Sequence, residues 1–186
     1  MVRLLERDEA LLMVVDVQEK LAPAMEPEGF PGAVNNIKIL VKTAQILGVP
    51  IFVTEQYSKG LGSTIEEISS LLDGKKHTLF EKMTFCCVRD RNILEGLSRA
   101  GRKQVILCGI EAHVCVYQTG IDLLNGGYEV YLVTDATCSR RAGNMEAGVR
   151  GLLAAGAVEI TTETVGFSLL KIAGTSEFKE FSKLIK

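Results

Sequence analysis

The sequence predicts an α/β protein: a doubly wound three-layer sandwich around a mainly parallel, six-stranded sheet. Three observations carry this expectation. A unit recurs four times, in which a leucine-rich helical stretch ends in a glycine and an apolar, β-rich run follows. The run 10–15 is continuously apolar, the pattern of a strand covered on both faces. Connections are short, so right-handed crossovers set parallel strands side by side with helices on both faces.

The first strand is 10–15. Val34, Ile37, Val41 and Ala44 follow at helical spacing, and Ile46-Leu47-Gly48 ends that helix before a second strand at 50–54. Glycine suits the position after a helix because it takes the left-handed conformation without a Cβ clash. Residues 57–74 are less regular and are expected to fold over a site. A short strand is expected near 76–80. Leucines and a glycine at 97–101 lead into the strand 105–109. Val116, Tyr117, Ile121 and Leu124 mark the next helix, which ends at Gly127 before the strand 128–134. The last repeat ends at Gly156 and leads into 158–161, and 176–186 reads as a final amphipathic helix. No linker or low-complexity stretch divides the chain, so 1–186 is expected to form a single domain.

At 186 residues the length fits one domain of roughly 150 residues. Apolar residues make up 47% and charged residues 24%, which supplies the apolar surface a disordered chain lacks. The longest uncharged stretch runs from Thr43 to Thr54 and is interrupted by Gly48 and Pro50, so no membrane partner is expected. Residues 1–9 alternate charge and leucine and read as neither signal nor transit peptide. Lys and Arg number 21 against 23 Asp and Glu, a net charge of −2, and like charges are not gathered in blocks, the basic runs at 75–76 and 140–141 being no more than pairs. A nucleic-acid binder would need a basic stripe to neutralise phosphates, so no nucleic-acid partner is expected. Cys86, Cys87, Cys108, Cys115 and Cys138 are odd in number and lack zinc spacing; they read as reduced thiols in a cytoplasmic protein.

In such a sheet, ligands bind beyond the carboxyl ends of the strands. Asp16 follows the first strand, Lys82 the third, and Cys115 the fourth. Singly, each has a plain reading: a loop carboxylate, a solvated lysine, a small buried hydrophobe at a helix start. At one sheet edge they form a nucleophile set of acid, base and thiol, with the helix start favouring a thiolate. The loop after the first strand is Asp-Val-Gln-Glu-Lys, without the glycines that dinucleotide binding requires.

These residues resemble the isochorismatase-like cysteine hydrolases. The resemblance spans nearly the whole chain. It rests on Val15-Asp16-Val17-Gln18, on Lys82 ahead of Phe85, and on Gly109-Ile110-Glu111-Ala112-His113-Val114-Cys115-Val116. Thr54-Glu55-Gln56-Tyr57, Lys59-Gly60-Leu61-Gly62 and Asp135-Ala136-Thr137-Cys138-Ser139-Arg140 are similar to the isochorismatase-domain-containing branch. The resemblance implies a Rossmann-like fold and a catalytic triad of Asp16, Lys82 and Cys115. It also implies an oxyanion hole from the backbone N–H groups of Glu111 and Cys115, and a cis peptide between Ile110 and Glu111. The reaction it implies is hydrolysis of a small C–N substrate through a thioester, without cofactor, in a homo-oligomer. Gln18, Tyr57 and Phe85 are candidates to line the pocket. His113 is expected to make structural hydrogen bonds, Cys86 and Cys87 to pack, and Arg140 and Arg141 to meet carboxylates or an interface.

Two departures narrow the substrate. Nicotinamidase-like relatives carry an Asp and several histidines after the second strand, where this chain has Thr54-Glu55-Gln56-Tyr57, and His77 and His113 are its only histidines; no metal site is expected. Isochorismatase itself lacks the nucleophilic cysteine, so Cys115 argues against vinyl-ether chemistry. The competing readings are a catalytically idle interaction scaffold, which need not keep all three residues, and a thiol redox protein, against which the missing CxxC motif speaks.

Overall fold

A computed structural model describes residues 3–72 and 77–186. The lysine pair at 75–76, and with it the first residue of the short strand expected at 76–80, lies outside the described residues. Six strands make up one parallel sheet among them: β1 (Ala10–Val15), β2 (Ile51–Gln56), β3 (His77–Lys82), β4 (Gln104–Ile110), β5 (Glu129–Cys138) and β6 (Val158–Ile160). Their order is β3-β2-β1-β4-β5-β6, so the chain winds outward in both directions from β1 and β4. The helices are α1 (Phe30–Leu47), α2 (Ser58–Leu61), α3 (Glu66–Ser69), α4 (Arg91–Ala100), α5 (Tyr117–Asn125), α6 (Ala142–Ala154), α7 (Thr162–Leu170) and α8 (Ser176–Leu184).

The unbroken apolar run of β1 is explained by a core on each side of the sheet. Ala10, Leu12 and Val14 pack with Ile37, Leu40 and Val41 of α1 and with Val165 and Leu169 of α7. Leu11, Met13 and Val15 point the other way, onto Ile93 and Leu97 of α4, Leu123 of α5 and Leu152 of α6. Successive side chains of a strand face opposite sides, so one strand feeds both cores. Each large side chain removed from water contributes roughly 1.5–3 kcal/mol. The helices stop where the sequence says they should. At Gly48, φ is 66° and the N–H reaches back to the carbonyls of Ala44 and Gln45. At the start of α4, Asp90 accepts hydrogen bonds from the N–H groups of Asn92 and Ile93.

Several strands reach further towards the carboxyl edge than the sequence suggests, and β2 ends at Gln56 rather than at 54. β3 continues through Lys82 because it keeps pairing with β2, up to Gln56 opposite Lys82. β5 continues to Cys138, past the expected end at 134, after a register shift against β4 between Leu107 and Gly109. Gly109 sits at φ 115°, and a Cβ there would lie 2.2 Å from the Val15 carbonyl oxygen, so β1 and β4 approach as closely as they do only because this residue is glycine. The segment between β2 and β3 lies on the loop that follows β1, through the Gln18–Thr64 bridge and the Ile65 N–H bond to Val17 O.

Candidate active site

Asp16 is the first residue past β1, and its backbone is left-handed at φ 52°. Aspartate tolerates this conformation better than most residues, at a cost of order 1–3 kcal/mol that the surrounding packing must offset. The turn aims the carboxylate into the protein, where it is 0% exposed. Lys82 reaches it from two strands away: Nζ donates to Asp16 Oδ2 at 2.6 Å and to Gln56 Oε1 at 2.8 Å. Both side chains of this ion pair are fully buried. Thr54 Oγ1 donates to the other carboxylate oxygen, Oδ1, at 2.7 Å. The Cys115 thiol lies within reach of the charges of both Asp16 and Lys82.

Cys115 does not stand at an α-helix start. It lies in a single wide π-type turn, Ala112–Val116, that precedes α5. The expectation of a dipole-favoured thiolate is corrected accordingly. Burial, then the negative charge of Asp16, push the thiol well above its ordinary value, and the pull of Lys82 does not reverse this. The resting site therefore holds a protonated thiol beside a buried carboxylate. Burial, the largest single influence, would lower Lys82, but the charge of Asp16, the neighbouring Cys87 and Cys115 and the hydrogen bond to Asp16 together outweigh it, and the ammonium is held above its ordinary value. Of the five free cysteines, Cys115 is 7% exposed and the other four are 2% or less.

The Ile110–Glu111 peptide joining β4 to this turn is cis. The Glu111 carboxylate is tied to Arg140, which donates from its backbone N and from Nε, both at 3.0 Å, with Nη2 at 2.9 Å. This pair anchors the backbone next to Cys115 to the end of β5. His113 Nδ1 meets Ser139 Oγ at 3.1 Å and Nε2 meets Asn144 at 3.3 Å, so its ring braces the same junction. Among the described residues, no three His, Cys, Asp or Glu side chains converge as metal ligands would.

The pocket candidates divide. The Gln18 amide is consumed internally: Nε2 donates to the carbonyls of Gln56 and Gly62, and Oε1 accepts the Gln56 N–H. Completely buried, Gln18 fixes the backbone of β2 rather than presenting a free amide. Tyr57, at φ 41°, and Phe85 are exposed on either side of Lys82 along the β3 end, and the Tyr57 N–H bonds to Lys82 O. Sequence reasoning missed Thr54 and Gln56 as members of the site. Cys87 was read as packing, and it is fully buried, but its Sγ also donates to Thr54 Oγ1 at 3.8 Å. The usable signal for Thr54 and Gln56 was position, since both end a strand at the edge that carries Asp16 and Lys82.

Fold and site together define a doubly wound α/β protein with a buried carboxylate, ammonium and thiol at the switch point of its sheet. The family described as "Isochorismatase domain" matches residues 9–164. The chain belongs to the isochorismatase-domain family. It is 39% identical over 181 residues to the secreted isochorismatase effector Isc1 of Phytophthora sojae, covering 95% of this chain and 84% of that protein. It is 37% identical over 177 residues to isochorismatase domain-containing protein 2 of Danio rerio, covering 95% and 86%. Against isochorismatase domain-containing protein 1 of Danio rerio it spans 59% of the relative's length. Among solved structures, the chain described as MAR1 ribonuclease from Caenorhabditis elegans superposes with a TM-score of 0.91 at 35% identity, over 98% of this chain and 92% of that one.

Proposed function

We propose that this protein is a cofactor-free cysteine hydrolase that cleaves small amides or related C–N compounds with Asp16, Lys82 and Cys115. The supporting observation is that the buried Asp16 carboxylate receives the Lys82 ammonium at 2.6 Å and that both charges act on the Cys115 thiol. A thiol beside a positioned base is the arrangement that nucleophilic catalysis uses. Asp16 takes the thiol proton as Cys115 Sγ attacks the acyl carbon. Charge develops on the carbonyl oxygen, where the N–H groups of Glu111 and Cys115 are the proposed donors. Collapse breaks the C–N bond, and the proton on Asp16 goes to the leaving nitrogen. Water, deprotonated by Asp16, then adds to the thioester; the acid departs and the thiol regains its proton. Lys82 stays an ammonium throughout and pairs with Asp16 between proton transfers.

The raised thiol fits this cycle, because the proton is meant to move during attack rather than before it. We read the protein as cytoplasmic and homo-oligomeric, acting on a small molecule, with neither membrane nor nucleic acid as partner. Among the described residues, no helix is long and apolar enough to cross a membrane. YcaC of Escherichia coli, which shares the fold at 19% identity, is described as an octameric hydrolase of unknown specificity. The ribonuclease name of the Caenorhabditis elegans relative makes phosphodiester cleavage the contrasting reading. The near-neutral charge of this chain disfavours it. The test is a panel of small amides and imides together with an RNA oligonucleotide, assayed with wild-type and Cys115→Ala protein. We expect turnover of at least one amide or imide, lost by about 10³-fold or more in the variant. Cleavage of RNA alone would overturn the reading.

A further inference from the structure

The ion pair spans an intervening strand, and what that strand offers is matched to each end of it. β2 runs between β1 and β3, with Thr54 beside Val15 and Gln56 beside Lys82 in register. Residues two apart on a strand share a face. From that face Thr54 presents a hydroxyl donor to the carboxylate and Gln56 presents a carbonyl acceptor to the ammonium. Each is held in turn. Gln56 Nε2 donates to Met83 O at 2.9 Å, which fixes the amide with its oxygen towards Lys82. The Gln56 N–H is held by Gln18 Oε1 at 2.7 Å. Thr54 Oγ1 accepts from Cys87 Sγ, so its own proton is left for Asp16.

We propose that Thr54 and Gln56 are positioning residues, a clamp on β2 that sets the orientation of the Asp16 carboxylate and the Lys82 ammonium towards the Cys115 thiol. The inference rests on the hydrolase reading above. With Lys82 on Oδ2 and Thr54 on Oδ1, the carboxylate cannot rotate about its Cβ–Cγ bond without breaking one of these bonds. Without Thr54 it can turn about the Lys82 contact, and its orientation is no longer fixed. Small misplacements of a reacting group cost rate steeply. A merely structural role would predict lost stability with unchanged thiol chemistry.

The experiment measures the rate at which iodoacetamide alkylates Cys115, read by peptide mass mapping between pH 6.5 and 9. The proteins are the wild type, Thr54→Val, Thr54→Ser, Gln56→Met and Asp16→Asn. Thr54→Val keeps the shape and removes the donor; Thr54→Ser keeps the donor. We expect Thr54→Val and Gln56→Met to slow labelling by about tenfold, the scale of a lost hydrogen bond to a charged group. We expect Thr54→Ser to stay within about twofold of wild type, the margin left when the donor is kept. Circular dichroism and thermal melting establish that each variant is folded, and if Thr54→Val is not, Gln56→Met carries the test. Wild-type labelling rates in folded Thr54→Val and Gln56→Met, with turnover lost in Asp16→Asn, would overturn the clamp alone. Wild-type turnover of an amide or imide by Asp16→Asn would remove Asp16 as the base and overturn the hydrolase reading with it.

Discussion

Replacing Lys82 with Met strands the fully buried Asp16 carboxylate without its cation, leaving it the Thr54 hydroxyl as a donor. The magnitude follows from the burial of the pair. Unit charges about 4 Å apart attract by ~4 kcal/mol at an effective dielectric of about 20, and removing one partner of a buried pair typically costs ~3–5 kcal/mol. Asp16→Asn makes the converse error, leaving an ammonium with no anion against it. Each single variant is expected to lose ~3–5 kcal/mol of unfolding free energy. The double variant, Asp16→Asn with Lys82→Met, leaves no buried charge at this position, and its cost is expected not to exceed that of either single. Urea denaturation of the four proteins at pH 7, with equal slopes, measures the cycle. Additive losses, with the double variant falling by the sum of the singles, would refute the claim that these charges are buried against each other.

Cys115→Ala removes little volume at a position already 7% exposed, so it is expected to unfold within about 1 kcal/mol of wild type while turnover is lost; chemical denaturation alongside the activity assay checks both. Among the five thiols, Cys115 is expected to be alkylated first, because Cys87 and Cys108 are 0% exposed, and Lys82→Ala is expected to slow that labelling; peptide mapping of limited digests reads the order. Burial pushes the Cys87 thiol from 9.0 up to about 12, and it pushes Cys108 and Cys115 up as well. These thiols stay protonated in the folded protein after the unfolded chain has begun to ionise. Their contribution to stability is therefore complete below about pH 9 and is lost as the pH rises above it, by up to ~1.4 kcal/mol per unit for each thiol. Denaturation curves from pH 7 to 10 are expected to show this fall, and Cys108→Ala to make it shallower. Exhaustive chelation is expected to leave hydrolysis unchanged, and stoichiometric metal whose removal and return switch activity off and on would contradict that.

Much of the fold was legible because its determinants are local. The apolar run 10–15 is β1 residue for residue, and the glycines 48 and 101 close their helices in the left-handed conformation. The placing of Asp16, Lys82 and Cys115 at one edge was legible as well, since Asp16 and Cys115 follow parallel strands, Lys82 ends one, and parallel strands end at one edge. What was not legible depends on contacts between strands. Lys82 is a strand residue only because β3 keeps pairing with β2 to its end, and nothing near 76–82 announces that pairing. Gln18 looked like a pocket amide and proved to be a brace, because its partners lie 38 and 44 positions away. Thr54 and Gln56 gain their roles only once β1 and β3 stand on either side of them. The sign of the Cys115 shift was misjudged for a related reason: dipole and neighbouring lysine are visible in a sequence, whereas the depth of burial that outweighs them is a property of the packed whole.

The central claim, that Cys115 attacks substrate while Asp16 takes its proton, is tested most directly by trapping the covalent intermediate. An amide or imide that turns over is mixed with the enzyme, quenched in acid within the first turnovers, and digested for mass spectrometry. The account predicts a substrate-derived acyl group on the peptide that carries Cys115, released by hydroxylamine, and absent from Cys115→Ala protein. Turnover that proceeds at the wild-type rate in Cys115→Ala, with no acyl group on that peptide at any quench time, would contradict it.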